Sequence, residues 1–145
     1  GAVPELHADL GVEVVLHRRE RPVYDAAHQL AGSWGFDIGE LPPPGRLVEE
    51  GDEVAVGGLR FRVIHTPGHS PGGCCLLGEG RLFSGDTLFA GSIGRTDLPG
   101  GSYETIMTSL ARLAELPEET EVHPGHGPSS TIGRERRMNP YLGGL

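Results

Sequence analysis

Three short segments of this chain, VIHTPGHS, RLFSGD and EVHPGHG, share one pattern. In each, an apolar run passes into a glycine-containing turn that presents a histidine or an aspartate: His69, Asp86 and His126. Imidazole nitrogen and carboxylate oxygen are what a Zn²⁺ or Fe²⁺ ion takes from a protein. Donors set on tight Pro/Gly turns lose little conformational freedom on binding, so these three residues are read as metal ligands. His65 lies on the apolar side of its strand and is read as a core residue or one that orients a ligand, in preference to ligating directly. His123 is read the same way. Arg95 and Asp97, in GRTD, are read as an ion pair shaping the loop, with contact to substrate the alternative. Arg134, Arg136 and Arg137 form a basic patch, read as a solvated helix face paired with Glu135 or as a contact for substrate carboxylates. His7, His17 and His28 stand outside any motif and are assigned to the surface or to helix packing.

For His69, Asp86 and His126 to meet, the strands that carry them must end on one rim, as strands do at ligand sites of layered α/β folds. Residues 53–56 and 59–66 flank Gly57-Gly58 and form a hairpin; residues 73–77 and 81–84 flank Gly78-Glu79-Gly80 and form another. Alternation in LRFRVIHT puts Leu59, Phe61, Val63 and His65 on one face. Residues 86–101 read as a long Gly-rich loop. Ser102 is an N-cap for a helix whose stripe is Ile106, Leu110 and Leu113 and which stops before Pro117. A last strand covers 120–123 and a short basic helix 131–138. Upstream, residues 2–10 read as a helix stopped by Gly11, residues 12–17 as a strand, and residues 22–30 as a helix closed by Gly32. Residues 33–45 hold too many Gly and Pro for regular structure and read as an irregular, substrate-facing segment.

A chain of 145 residues with ordinary apolar content is sized for one domain and one core. Its net charge of -8 repels the phosphate backbone, so nucleic acid is excluded as a partner. No stretch approaches the roughly eighteen apolar residues of a membrane span, and no leader opens the chain, so a cytoplasmic protein is expected. Cys74 and Cys75 are adjacent in an apolar strand, where alternation points them to opposite faces and favours two reduced thiols over a disulfide.

Taken in order, TPGHSPG, FSGDTLF, GSIGRTD and HPGHGP resemble the motif series of the metallo-β-lactamase superfamily, and within it the single-domain glyoxalase II-like (hydroxyacylglutathione hydrolase-like) hydrolases. The resemblance runs over nearly the whole chain. It implies an α/β chain with the metallo-β-lactamase fold, an αββα sheet sandwich, as a single domain over residues 1–145. It also implies that His69 binds a first metal, His126 a second, and Asp86 both, which makes Asp86 the catalytic bridge. The family's HxHxDH motif, which supplies the remaining metal-facing side chains, does not occur in these residues. The expectation is therefore that the chain begins just after that motif, is N-terminally incomplete and holds metal poorly by itself. The implied activity is hydrolysis of a thioester such as an acylated glutathione, with two Zn²⁺ ions generating the hydroxide. One alternative is a persulfide (sulfur) dioxygenase of the same superfamily with a single iron; another is an inactive fragment. The implied partner is a small thiol-derived substrate, with the oligomeric state left open.

Overall fold

The computed structural model describes residues 2–144. The chain divides into two compact units, Gly1–Val48 and Glu49–Leu145. In the first, helix α1 (Val3–Leu10) has proline in its first turn and ends at Gly11, whose φ of 62° lets its N–H close back onto the His7 carbonyl. Its apolar stripe, Val3, Leu6 and Leu10, is exposed. The strand expected over 12–17 is confined to β1 (Val15–His17), which pairs in parallel with β2 (Arg46–Val48). Helix α2 (Arg21–Ser33) does not stop at Gly32, because no left-handed residue follows until Gly35 at φ 79°. The segment between α2 and β2 is irregular, as its composition requires.

The second unit is built on a six-stranded sheet in the order β10-β9-β6-β5-β4-β3. Its strands are β3 (Glu53–Val56), β4 (Leu59–His65), β5 (Cys74–Gly78), β6 (Arg81–Gly85), β9 (Glu121–Pro124) and β10 (Ser130–Thr131). The β5–β6 turn needs only Glu79 and Gly80, both with positive φ, 53° and 71°, which is what a two-residue hairpin of primed type demands. All neighbours pair antiparallel except β6 and β9, which run parallel with a register shift between Phe83 and Gly85. Helices α3 (Tyr103–Ala114) and α4 (Ile132–Met138) bring Ile106, Leu110, Leu113 and Ile132 into one buried cluster with Ile64, Cys75, Leu82 and Val122 of the sheet. Ser102 and Thr131 cap the two helices, accepting from the Thr105 and Arg134 amides. The register also aligns Val63, Leu76, Phe83 and His123 on the opposite sheet face, so the sheet is apolar on both sides.

Residues 86–101 are not a continuous loop. They contain a small hairpin, β7 (Leu88–Phe89) paired with β8 (Ser92–Ile93). Neither cysteine is in a disulfide; Cys75 is fully buried and Cys74 partly so. Among the described residues no helix is long and apolar enough to cross a membrane.

Candidate metal centre

The sheet pairing brings the three motif loops to one rim. His65 at the end of β4 pairs with Cys74 at the start of β5, and Gly85 at the end of β6 pairs with Pro124 at the end of β9. The chain then leaves the sheet through His69, Asp86 and His126, respectively. Residues 66–73 form a compact loop closed by the Thr66 amide donating to the Gly73 carbonyl at 2.8 Å. Helix α3 holds it from outside: the Ser109 hydroxyl donates to the Pro67 carbonyl at 2.7 Å and the Ser102 amide to the Gly68 carbonyl at 2.8 Å. Gly68 is obligatory here, since at φ 135° a Cβ would sit 2.4 Å from the Ile106 backbone.

Asp86 sits between the two imidazoles. Its Oδ2 lies 3.7 Å from His69 Nε2 and its Oδ1 3.3 Å from His126 Nε2. Oδ1 is nevertheless buried with no hydrogen bond, so the short approach to His126 is not a donor–acceptor contact. His69 Nδ1 stands 2.8 Å from the Arg95 carbonyl, which can only accept; the ring proton is therefore on Nδ1, and in the neutral ring a lone pair on Nε2 faces Asp86. Lone pairs directed at a carboxylate repel unless a cation lies between them. Donors about 2.0–2.2 Å from one tetrahedral Zn²⁺ stand roughly 3.3–3.6 Å apart, close to the separations found at Asp86. The donor set thus fits two ion positions sharing one carboxylate, each with one imidazole. Among the described residues no three His, Cys, Asp or Glu side chains group closely enough to hold an ion together. These residues supply two donors per ion, short of the three protein ligands typical of a catalytic Zn²⁺.

Two glycines make room for this arrangement. A Cβ on Gly125 would lie 2.8 Å from Asp86 Oδ1, and one on Gly94 would overlap the Asp86 carbonyl at 1.8 Å. The GSIGRTD segment therefore passes directly against Asp86, which its glycine spacing could have indicated. Phe89 is a further contributor outside the set read from sequence: its ring stacks on His126 with centroids 5.5 Å apart and 21° between planes.

The other candidate residues are placed apart from the Asp86 oxygens. His65 Nε2 donates to the Pro71 carbonyl at 3.0 Å and so ties the His69 loop to β4. His123 lies on the sheet face, donating through Nε2 to Glu121 at 3.2 Å and accepting through Nδ1 from the Ser129 hydroxyl at 3.0 Å, with Phe83 stacked on its ring. That bond, together with Arg81, holds the Glu121 carboxyl below its ordinary range. Arg95 forms a two-pronged pair with Asp97 at 2.8 and 2.7 Å, which holds Asp97 down at about 2. Arg136 and Arg137 both pair with Glu118, not with Glu135, which is buried elsewhere. In the first unit, a groove of about 560 Å³ is lined by Arg21, Tyr24, Asp25, His28 and Pro42. Arg21 pairs there with Asp25 and the Tyr24 hydroxyl donates to the Pro42 carbonyl, and among the described residues the groove holds no group of three metal donors.

A mixed sheet with helices packed on it, and His and Asp side chains gathered at its strand ends, defines an α/β protein with a candidate metal centre. Residues 1–130 match the metallo-beta-lactamase superfamily family model. The chain is 38% identical to the probable metallo-hydrolase YqgX of Bacillus subtilis, covering 100% of this chain and 71% of the relative. It is 34% identical to the hydroxyacylglutathione hydrolase GloC of Haemophilus influenzae, over 98% and 69%. An uncharacterized protein of Aquifex aeolicus is 51% identical over 74% of this chain, and the match covers only 54% of that relative, about half its length. Among solved structures, TTHA1623 in a di-iron-bound form superposes with a TM-score of 0.88 at 46% identity, over 98% of this chain and 71% of the other. ETHE1 from Myxococcus xanthus superposes with a TM-score of 0.76 at 32% identity, over 98% and 57%. The chain belongs to the metallo-beta-lactamase superfamily and has its fold.

Proposed function

We propose that His69, Asp86 and His126 are ligands of a two-metal centre in a thioester hydrolase acting on a small thiol-derived substrate such as an acylated glutathione. The observation that carries this reading is Asp86, whose two oxygens each face a different imidazole across a gap with no hydrogen bond. The name of the Haemophilus influenzae relative supports the substrate class. When bound, a metal pair supplies a nucleophilic water at neutral pH and a positive charge for the carbonyl oxygen as it turns negative. The protein's own work is positioning. Asp86 would hold both ions; the Arg95 carbonyl fixes the His69 tautomer; Phe89 packs on His126; and His65 fastens the loop that carries His69. In the overall reaction, water adds its oxygen to the acyl carbon, the C–S bond breaks, and the thiolate takes a proton. Arg95 and Asp97, exposed on the same loop, are proposed to border the substrate. Zn²⁺ is the proposed metal and the cytoplasm the proposed compartment, in keeping with two cysteines not joined in a disulfide.

A second reading is a persulfide dioxygenase with one iron held by counterparts of His69 and Asp86. It is favoured by the likeness to the Myxococcus xanthus ETHE1 structure, while the di-iron form of TTHA1623 supports iron as the metal but with two ions. Metal analysis of the purified protein, run beside assays of thioester cleavage and persulfide-dependent oxygen uptake, separates the two. Zinc with thioester cleavage is expected; iron with oxygen uptake would replace the hydrolase reading.

A further inference from the structure

Glu135, in the middle of α4, is a buried carboxylate that the proposed chemistry leaves unused. It is 1% exposed, and its carboxylate accepts three hydrogen bonds. Oε1 accepts from the Ser130 hydroxyl. Oε2 accepts from the Gly91 amide and from Asn139 Nδ2, both at 2.8 Å. Asn139, equally buried, also donates through Nδ2 to the Ser92 carbonyl at 3.1 Å and to the Phe89 carbonyl at 3.4 Å. Two buried side chains, Glu135 within α4 and Asn139 just after it, therefore grip Phe89, Gly91 and Ser92, three of the six residues from Leu88 to Ile93 that make up the β7–β8 hairpin. A ladder with two residues on each strand does not hold itself in water, so these bonds and the buried Leu88 set where it sits. Phe89, placed by this grip, lies flat on His126. The His126 side chain is 73% exposed, so among the contacts described the Phe89 stack is the one that orients its ring.

We propose that Glu135 is a positioning residue for His126: it fixes the β7–β8 hairpin through Gly91 and Asn139, and so holds Phe89 against the imidazole with Nε2 turned to Asp86. The consequence for metal binding rests on the reading of His126 as a ligand given above, whereas the consequence for ring position does not. Glutamine at 135 preserves the grip, because its amide oxygen accepts from Gly91 and Asn139 while its NH₂ donates to the Ser130 oxygen. Alanine removes all three acceptor contacts.

The test is NMR on the protein with labelled histidine and phenylalanine rings, first without metal and then titrated with Zn²⁺. Without metal, wild type and Glu135→Gln should show cross-relaxation between the Phe89 and His126 rings, and folded Glu135→Ala should lose it while the His69 signals stay in place. On titration, the Zn²⁺ concentration that half-shifts His126 should rise by about 10–100-fold in Glu135→Ala, the range for residues that orient a metal ligand, and return in Glu135→Gln. Should Glu135→Ala not fold, Asn139→Ala, which keeps the carboxylate and cuts the bonds to Phe89 and Ser92, is expected to lose the Phe89–His126 contact in its place. Persistence of that contact in either folded alanine variant would overturn the proposal. If the contact is lost as expected but Zn²⁺ moves neither His69 nor His126 in wild type, the positioning role stands and the metal reading falls.

Discussion

At Asp86 one carboxylate oxygen, Oδ1, is buried without a hydrogen bond beside Gly125, although the side chain as a whole is 36% exposed. A buried polar atom of that kind is retained where a partner joins it, which a bound cation would supply. Asp86→Ala should therefore bring thioester hydrolysis to background, whereas His28→Ala, in the first unit and bonded to the Gly39 carbonyl, should retain the wild-type rate. Equal losses in the two variants would discredit the assignment. Gly125→Ala pushes a methyl to within 2.8 Å of Oδ1 and should weaken Zn²⁺ binding in a titration while the fold survives. Gly94→Ala has no such tolerance, since the Asp86 backbone is the obstacle; a loss of about 1–3 kcal/mol or more in denaturant unfolding is expected, in line with overpacked sites. The grouping of His69, Asp86 and His126 was legible because His and Asp after a Gly turn are a chemical pattern. The acceptor that orients His69 was not, because it is the backbone carbonyl of Arg95 and any residue offers one.

At the level of elements, strong local signals were readable and weak ones were not. Ser102 was recognisable as a cap and does accept from the Thr105 amide, so Ser102→Ala should cost about 1 kcal/mol of stability, read as a lower midpoint in thermal or urea unfolding, with the site unaltered. The hairpins at Gly57-Gly58 and at Glu79-Gly80 were likewise legible from turn chemistry. Strands β2, β7, β8 and β10 were missed because two or three residues carry no alternation to detect. They exist through partners distant in sequence: β1 for β2, β9 for β10, and for the β7–β8 pair the side chains of Glu135 and Asn139. Helix α2 outlasted Gly32 for a related reason, since a glycine ends a helix only where the chain turns left-handed, and here that happens at Gly35.

On the scale of the whole molecule, the sheet is the device that turns four separate motifs into one centre. The parallel pairing of β6 with β9 puts Asp86 and His126 side by side, and it could not be read from either segment alone. The same sheet decides the behaviour of the two thiols. Cys75 faces the core, and burial pushes its thiol up to about 12, while Cys74 faces the other way and is partly exposed. Native protein at pH 8 should accordingly take up one equivalent of iodoacetamide and unfolded protein two. Because the folded state keeps the Cys75 proton while the unfolded chain releases it near 9.0, this thiol's contribution is intact below pH 9 and is lost as pH climbs towards 12. Unfolding free energy should fall over that window, and Cys75→Ala should flatten the fall. The placement of the metal centre is tested most directly by anomalous X-ray diffraction from crystals of the protein grown with Zn²⁺. Peaks are expected between Asp86 Oδ2 and His69 Nε2 and between Asp86 Oδ1 and His126 Nε2; ordered zinc elsewhere, with Asp86 turned away from both imidazoles, would contradict the assignment.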